Sequence, residues 1–299
     1  MHRLWTPWRM HYVSGSKPAD CIFCAALDDA HDAARLVLLR GEHAYVMMNL
    51  YPYNSGHVMV IPNAHVDTLE DLIADARAEL MELTNLAISA SRRVLRCDGF
   101  NLGTNIGAVA GAGIAQHLHT HLVPRWIGDA NFMPILADTM VVPELLQVTH
   151  AKLRAELETL SATGEPGLEL IAGAVVYLPD SRNVVLRRSK SGEIVVPKGH
   201  IEHGEAAYEA ALREVMEETG YAAQVIGWAG SQRIELPRNR RQHIVYVLAT
   251  GVETEASRGH VEADTVLVSL AELSSATPFA PLNAILARAA ETLLAEFAP

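Results

Sequence analysis

Residues 199–221 read GHIEHGEAAYEAALREVMEETGY, and no other stretch limits the possible folds so tightly. Gly199 and Gly204 punctuate a loop, and an Ala-rich run of strong helix formers opens near Glu205. On that helix Glu214, Glu217 and Glu218 stand at i, i+3 and i+4, so three carboxylates share one face. Arg213 lies one turn before Glu217 and can hold it by a charge-assisted bond. Carboxylates crowded in this way repel one another unless a cation sits among them. Hard divalent cations take oxygen ligands, and Mg²⁺ keeps waters and bridges to substrate phosphates. Without such an ion the same residues form a solvated acidic face, as most Glu clusters do.

The spacing favours the ion. Gly199, five residues, Glu205, seven residues, Arg213-Glu214-Val215, one residue, Glu217-Glu218, one residue and Gly220-Tyr221 resembles a complete Nudix box. The resemblance implies a pyrophosphohydrolase that cuts a nucleoside diphosphate linked to another moiety, with Mg²⁺ or Mn²⁺. It makes Glu214, Glu217 and Glu218 the metal and base carboxylates, Arg213 their orienter, and Gly199 the loop carbonyl beside the metal. Arg187, Arg188, Lys190 and Lys198 near the box, and Arg238, Arg240 and Arg241 in a later RNRR loop, could grip a polyphosphate tail or form solvated basic surface. Glu235, Glu253, Glu255 and Glu262 are open choices for a further carboxylate after the box.

A second centre of chemistry lies at residues 100–126, FNLGTNIGAVAGAGIAQHLHTHLVPRW. Gly107, Gly111 and Gly113 leave backbone bare enough to approach a phosphate. His117, His119 and His121 alternate, which in a strand turns three imidazoles to one face. Three such rings are hard to explain as packing, because each buried imidazole must satisfy two nitrogens. Upstream, Cys21-Ile-Phe-Cys24 offers two thiolates that can share one tetrahedral ion, with a redox pair or two structural thiols as the rival readings. Cys97 reads as a structural or unpaired thiol with no role in the chemistry.

His117-Leu-His119-Thr-His121-Leu-Val resembles the histidine triad (HIT) signature, with Thr120 in a usually hydrophobic place. The likeness spans about residues 18–126 and includes the strand segment VIPNAH. It implies nucleotidyl transfer or hydrolysis at an α-phosphate through a covalent intermediate on His119. It also implies a structural Zn²⁺ at Cys21, Cys24, His65 and His117, with His57 the alternative third ligand. LWTPWRM and PRWIGDANFMPI resemble the diadenosine polyphosphate phosphorylase branch most. Asn49, Asn105, Gly111, Gly113, Gln116 and His121 are the expected nucleotide or phosphate contacts, with structural capping the rival role for Asn105. Gly113 stands where many hydrolases of the family carry Gln, which leaves room for an anion as acceptor; Gln116 could replace the missing amide.

A chain of 299 residues suits two domains of ordinary size. SATGEPG reads as a linker, giving a HIT domain over residues 1–160, a linker over 161–168 and a Nudix domain over 169–299. The expected class is α+β: an antiparallel sheet with helices, then an α/β/α sandwich with a mixed sheet. Trp5, Trp8 and Tyr12, with Arg3 and Arg9 between them, read as an arm packed on the first domain. No apolar run approaches a membrane span, the N-terminus lacks a secretory signal, and three cysteines suit a reducing cytoplasm. A net charge of −11 argues against long nucleic acid as a partner. The expected partner is a small nucleotide, and a homodimer through the HIT domain is a further expectation. The combined reading is a bifunctional enzyme of nucleoside polyphosphates, with diadenosine polyphosphates foremost. Two alternatives are a triphosphate-sanitising Nudix hydrolase joined to a HIT domain for nucleoside phosphoramidates, and a catalytically idle nucleotide sensor.

Overall fold

The computed structural model describes residues 21–28, 32–129, 144–252, 254 and 264–297. The aromatic arm, Glu253, Glu255, Glu262 and most of the run after Trp126 lie outside the described residues. The chain forms two compact units, Met1–His150 and Ala151–Pro299.

In the first unit, helix α1 (Ile22–Asp28) precedes strands β1 (Val37–Arg40), β2 (Ala44–Met48) and β3 (Val58–Pro62). Helix α2 (Ala74–Leu95), β4 (Gly99–Thr104) and β5 (Thr120–Arg125) complete it. The sheet runs β1-β2-β3-β5-β4, antiparallel throughout. β2 and β3 are buried at every position, so both faces are covered. Tyr45, Met47, Met59 and Ile61 meet Phe23 and Ala26 of α1. Helix α2 begins only at Ala74. Residues 68–72 form turns instead: Thr68 Oγ1 bonds Asp71, and the Leu72 amide bonds the Leu69 carbonyl. Short side-chain bonds of this kind compete with the helix start.

Helix α3 (Leu146–Ala162) contains the division between the units. The second unit adds β6 (Leu168–Leu178), β7 (Asn183–Arg188), β8 (Ile194–Val195), β9 (Lys198–His200) and α4 (Ala207–Thr219). β10 (Ala222–Leu236), β11 (Arg240–Val252), β12 (Thr265–Ser269) and α5 (Ala280–Phe297) follow. β6 pairs parallel with β11 and antiparallel with β7 and β9, which makes the seven-stranded sheet mixed. Val175, Tyr177, Ile244, Tyr246 and Leu248 pack on Leu282, Ile285, Leu286 and Leu293 of α5. Ala172, Ala174 and Val176 alternate to the opposite face, and α4 lies against β6 and β9. Residues 225–227 and 232–236 read in sequence as separate strands, but β10 is one strand with irregular register before Gly227 and Gly230. Gly227 and Gly230 mark bulges in it.

His243 on β11 is 7% exposed, and neither ring nitrogen finds a hydrogen-bond partner among the described residues. Burial pushes its pKa below the ordinary 6.5, with Arg233 adding to the effect and Glu158 and Glu165 opposing it. The unfolded chain therefore binds this proton more readily than the fold does. Stability from His243 is complete above pH 6.5 and declines as pH falls from there toward the lowered folded value. The expected result is a melting temperature that drops between pH 6.5 and about 5 in the wild type and drops less in His243→Leu. Parallel pH curves for the two proteins would rule this assignment out.

Candidate active sites

In the first unit Cys21 opens the turn into α1, and Cys24 lies one helical turn later. Cys21 Sγ is 3.3 Å from His117 Nδ1, and Cys24 Sγ is 3.2 Å from His65 Nδ1 and 3.6 Å from His117 Nδ1. All four ligand atoms lie within 4.8 Å of one another. Such spacing fits one tetrahedral ion at the usual zinc–sulfur and zinc–nitrogen lengths. His117 Nε2 donates to the Pro62 carbonyl at 2.9 Å, which orients the ring and leaves Nδ1 as the lone-pair donor. His65 is thus the fourth member of the cluster, and His57 stands elsewhere. Cys97 lies apart from the cluster, its thiol directed at the Ser91 carbonyl.

The expectation that all three triad rings project from one strand is corrected. β5 begins only at Thr120, because the Leu118 amide bonds the Val66 carbonyl before the ladder starts. His117 turns to the cysteines, while His119 and His121 pack ring to ring with centroids 4.9 Å apart. Thr120 fills its unusual place by pairing its hydroxyl with that of Thr104 at 2.8 Å. His119 Nδ1 donates to the His117 carbonyl at 2.8 Å, so a neutral His119 keeps its lone pair on Nε2. Burial lowers the His119 pKa, which favours that neutral form.

A second tautomer is set from behind. The Tyr53 amide donates to His57 Nδ1 at 3.1 Å, so a neutral His57 carries its proton on Nε2. That Nε2 lies 3.0 Å from His121 Nδ1 and donates to it. A neutral His121 is then protonated on Nε2, as a donor. The His119 and His121 rings line a cleft with Asn49, Gly111 and Gly113. Phe23, Met47, Tyr53, Met59 and Ile114 supply apolar walls that sequence reasoning did not assign. The Met47–Met59 register on β2 and β3, and the position of Phe23 inside the C-x-x-C, are the signals that carry them. Asn105 and Gln116 are not among the cleft-lining residues.

In the second unit the carboxylates of α4 are each engaged. Arg213 reaches Glu205 at 3.0 and 3.1 Å, Glu214 at 2.7 Å, Glu217 at 3.2 Å and the His200 carbonyl at 2.9 Å. Glu218 pairs with Arg187 and accepts the Lys198 amide at 3.1 Å. Burial raises the Glu218 pKa, and burial lowers that of Lys198. A Cβ on Gly199 would come within 2.1 Å of Glu214 Cδ, so only glycine permits β9 to run this close to α4. A face held by Arg213 and Arg187 has the donor set and the need for positive charge that a hard divalent cation would meet. Arg240 and Arg241 are spent on Glu169 and on the Pro166 carbonyl, and Arg240 pulls the Glu169 pKa down to about 2. Glu235 is exposed on β10 opposite Arg241.

The NUDIX domain profile matches residues 167–290, and the HIT domain profile matches residues 31–126. The AP-4-A phosphorylase of Mycobacterium tuberculosis (strain ATCC 25618 / H37Rv) is 43% identical over 166 residues, covering 52% of this chain and 84% of that protein. A Zn-bound histidine triad family protein from Mycobacterium smegmatis is 26% identical, covering 48% of this chain and 96% of its own, with a TM-score of 0.39. A NUDIX family hydrolase from Clostridium perfringens is 17% identical, covering 42% and 97%, with a TM-score of 0.36. No helix among the described residues is long and apolar enough to cross a membrane. The chain belongs to the HIT family through its first unit, and it is an enzyme in which that HIT domain is fused to a NUDIX domain.

Proposed function

We propose that the chain is a bifunctional enzyme of diadenosine polyphosphates, with phosphorolysis in the HIT unit and Mg²⁺-dependent hydrolysis in the Nudix unit. The observation that carries the first half is the His119 ring, which is held through Nδ1 and lines a cleft. Attack of Nε2 on an α-phosphorus of diadenosine tetraphosphate forms a P–N bond and breaks the P–O bond to departing ATP. Inorganic phosphate then attacks the same phosphorus, releases ADP and returns the electron pair to Nε2. His121, fixed as an Nε2–H donor, supports charge on the reacting phosphoryl oxygens. Gly111 and Gly113 leave backbone at the cleft wall for an anion. Likeness to a protein named AP-4-A phosphorylase supports phosphate, rather than water, as acceptor.

In the Nudix unit Glu214, Glu217, Glu218 and the Gly199 carbonyl would hold Mg²⁺. When bound, the ion neutralises charge on the bridging phosphates. Arg213 fixes Glu214 and Glu217 relative to each other, and Lys198 stands beside Glu218 as a phosphate contact. Glu217 is the most exposed of the three at 57%, which supports it as the group that takes a proton from the attacking water. The reading is tested by following diadenosine tetraphosphate with the Nudix site disabled while phosphate is raised. ADP with ATP in proportion to phosphate is expected; AMP with ATP at a constant rate would make water the acceptor.

Zinc at Cys21, Cys24, His65 and His117 is structural in this proposal, because four protein ligands leave no open position. Elemental analysis of protein purified without chelator should find about one zinc per chain. Cys24→Ser should lower the zinc content and the melting temperature together. Full zinc content in Cys24→Ser, or none in the wild type, would contradict the assignment.

A further inference from the structure

We propose that Glu156 of α3 is a positioning residue for the Nudix carboxylates: it fixes the start of α4 and so holds Glu214 in place beside Gly199. The proposal rests on the reading of α4 as the metal-carrying helix. Helix α4 opens after Ala206, an extended residue with φ −78° and ψ 150°. Alanine has no side-chain acceptor, so the cap that Ser, Thr, Asp or Asn would give is missing. Glu209 reaches back to the Ala206 amide at 3.0 Å. The Ala207 amide is taken by Glu156 Oε2 at 2.8 Å, from 51 positions earlier in the chain.

Glu156 is 1% exposed. A carboxylate so buried is costly unless paired, and the positive end of a helix is a favourable place for it. One turn earlier on α3, Lys152 Nζ sits 4.9 Å over the ring of Tyr208, in the first turn of α4. At the other end, Gly220 closes the helix in the left-handed region, and its carbonyl accepts Thr254 Oγ1 at 2.9 Å. Both ends of α4 are therefore tied.

The position so held has little slack. The missing Cβ of Gly199 would overlap Glu214, so the β9 backbone touches the Glu214 carboxylate directly. A slide of α4 would part that carboxylate from the Gly199 carbonyl with which it would share a metal. Glu156 lies outside residues 167–290, the span matched by the domain profile, so the tether is an addition by the preceding helix.

The test uses the full chain carrying Glu156→Ala or Glu156→Gln. Four quantities are read: kcat, KM and the half-saturating Mg²⁺ for metal-dependent hydrolysis of diadenosine tetraphosphate, and hydrogen exchange at Ala207. In Glu156→Ala, kcat should fall about tenfold and half-saturating Mg²⁺ should rise about tenfold, with KM within about twofold, as for a displaced catalytic group. Exchange at Ala207 should quicken. Glu156→Gln keeps an acceptor in the same volume but loses the charge, so its Mg²⁺ requirement should rise only about threefold. If Glu156→Ala does not fold, that threefold rise in Glu156→Gln decides for the proposal, and a wild-type requirement decides against it. A lowered melting temperature with unchanged kcat and Mg²⁺ requirement would overturn it, leaving Glu156 a structural residue only. A wild type without metal-dependent hydrolysis removes the Nudix reading instead, and exchange at Ala207 then decides whether Glu156 holds the helix.

Discussion

Replacing His119 with Ala should lower phosphate-dependent cleavage of diadenosine tetraphosphate by roughly 10⁴-fold or more, the scale on which loss of a covalent nucleophile is felt. The effect is large because no neighbour can substitute. His117 is turned to Cys21 and Cys24, with its Nε2 on the Pro62 carbonyl. His121 has its Nδ1 against His57, so it faces the cleft as a donor rather than a nucleophile. The fold should survive, since His119 is not one of the four cluster ligands and touches His117 only through its backbone carbonyl. Rates are to be read by separating ADP, ATP and AMP, with zinc content checked in parallel. A variant that retains zinc and more than a tenth of the wild-type phosphorolysis would show that the reaction does not pass through His119.

Glu218→Gln should remove Mg²⁺-dependent hydrolysis by about two orders of magnitude or more, because a neutral amide replaces a charged metal ligand. The same change leaves Arg187 without its carboxylate partner. Raising Mg²⁺ should restore only part of the rate. Phosphate-dependent production of ADP should be unaffected if, as proposed, the HIT reaction runs through His119 without a catalytic metal. Mg²⁺ titrations on wild type and variant, with the HIT site disabled by His119→Ala in both, measure the effect. Equal Mg²⁺-dependent rates in the two backgrounds would remove Glu218 from the metal site.

Much of this was legible because its signals are local. Arg213, Glu214, Glu217 and Glu218 fall on one helical face by spacing alone, and the fold keeps them there. The HIT resemblance implies Cys21, Cys24, His65 and His117 as a set, with His57 the alternative, and the fold gathers the ligand atoms of the first four. What the sequence hid depends on pairing across the chain. The choice between His57 and His65 turns on whether Tyr53 and His121 claim the former, and no spacing reveals that. The start of β5 depends on Val66, 52 positions before Leu118, taking an amide that the alternating pattern assigns to a ladder. Residues 228–231 read as a gap between two strands because bulges and turns both use glycine. Glu156 carried no signal at all: its role appears only once Ala207 is beside it.

The central claim is that two chemistries operate in one chain at separate sites. Its most direct test is product analysis on diadenosine tetraphosphate with wild type, His119→Ala and Glu218→Gln, each with and without phosphate and Mg²⁺. The account predicts phosphate-dependent ADP and ATP from Glu218→Gln without added Mg²⁺, Mg²⁺-dependent hydrolysis from His119→Ala without phosphate, and both from the wild type. Loss of both activities from either folded single variant would contradict it.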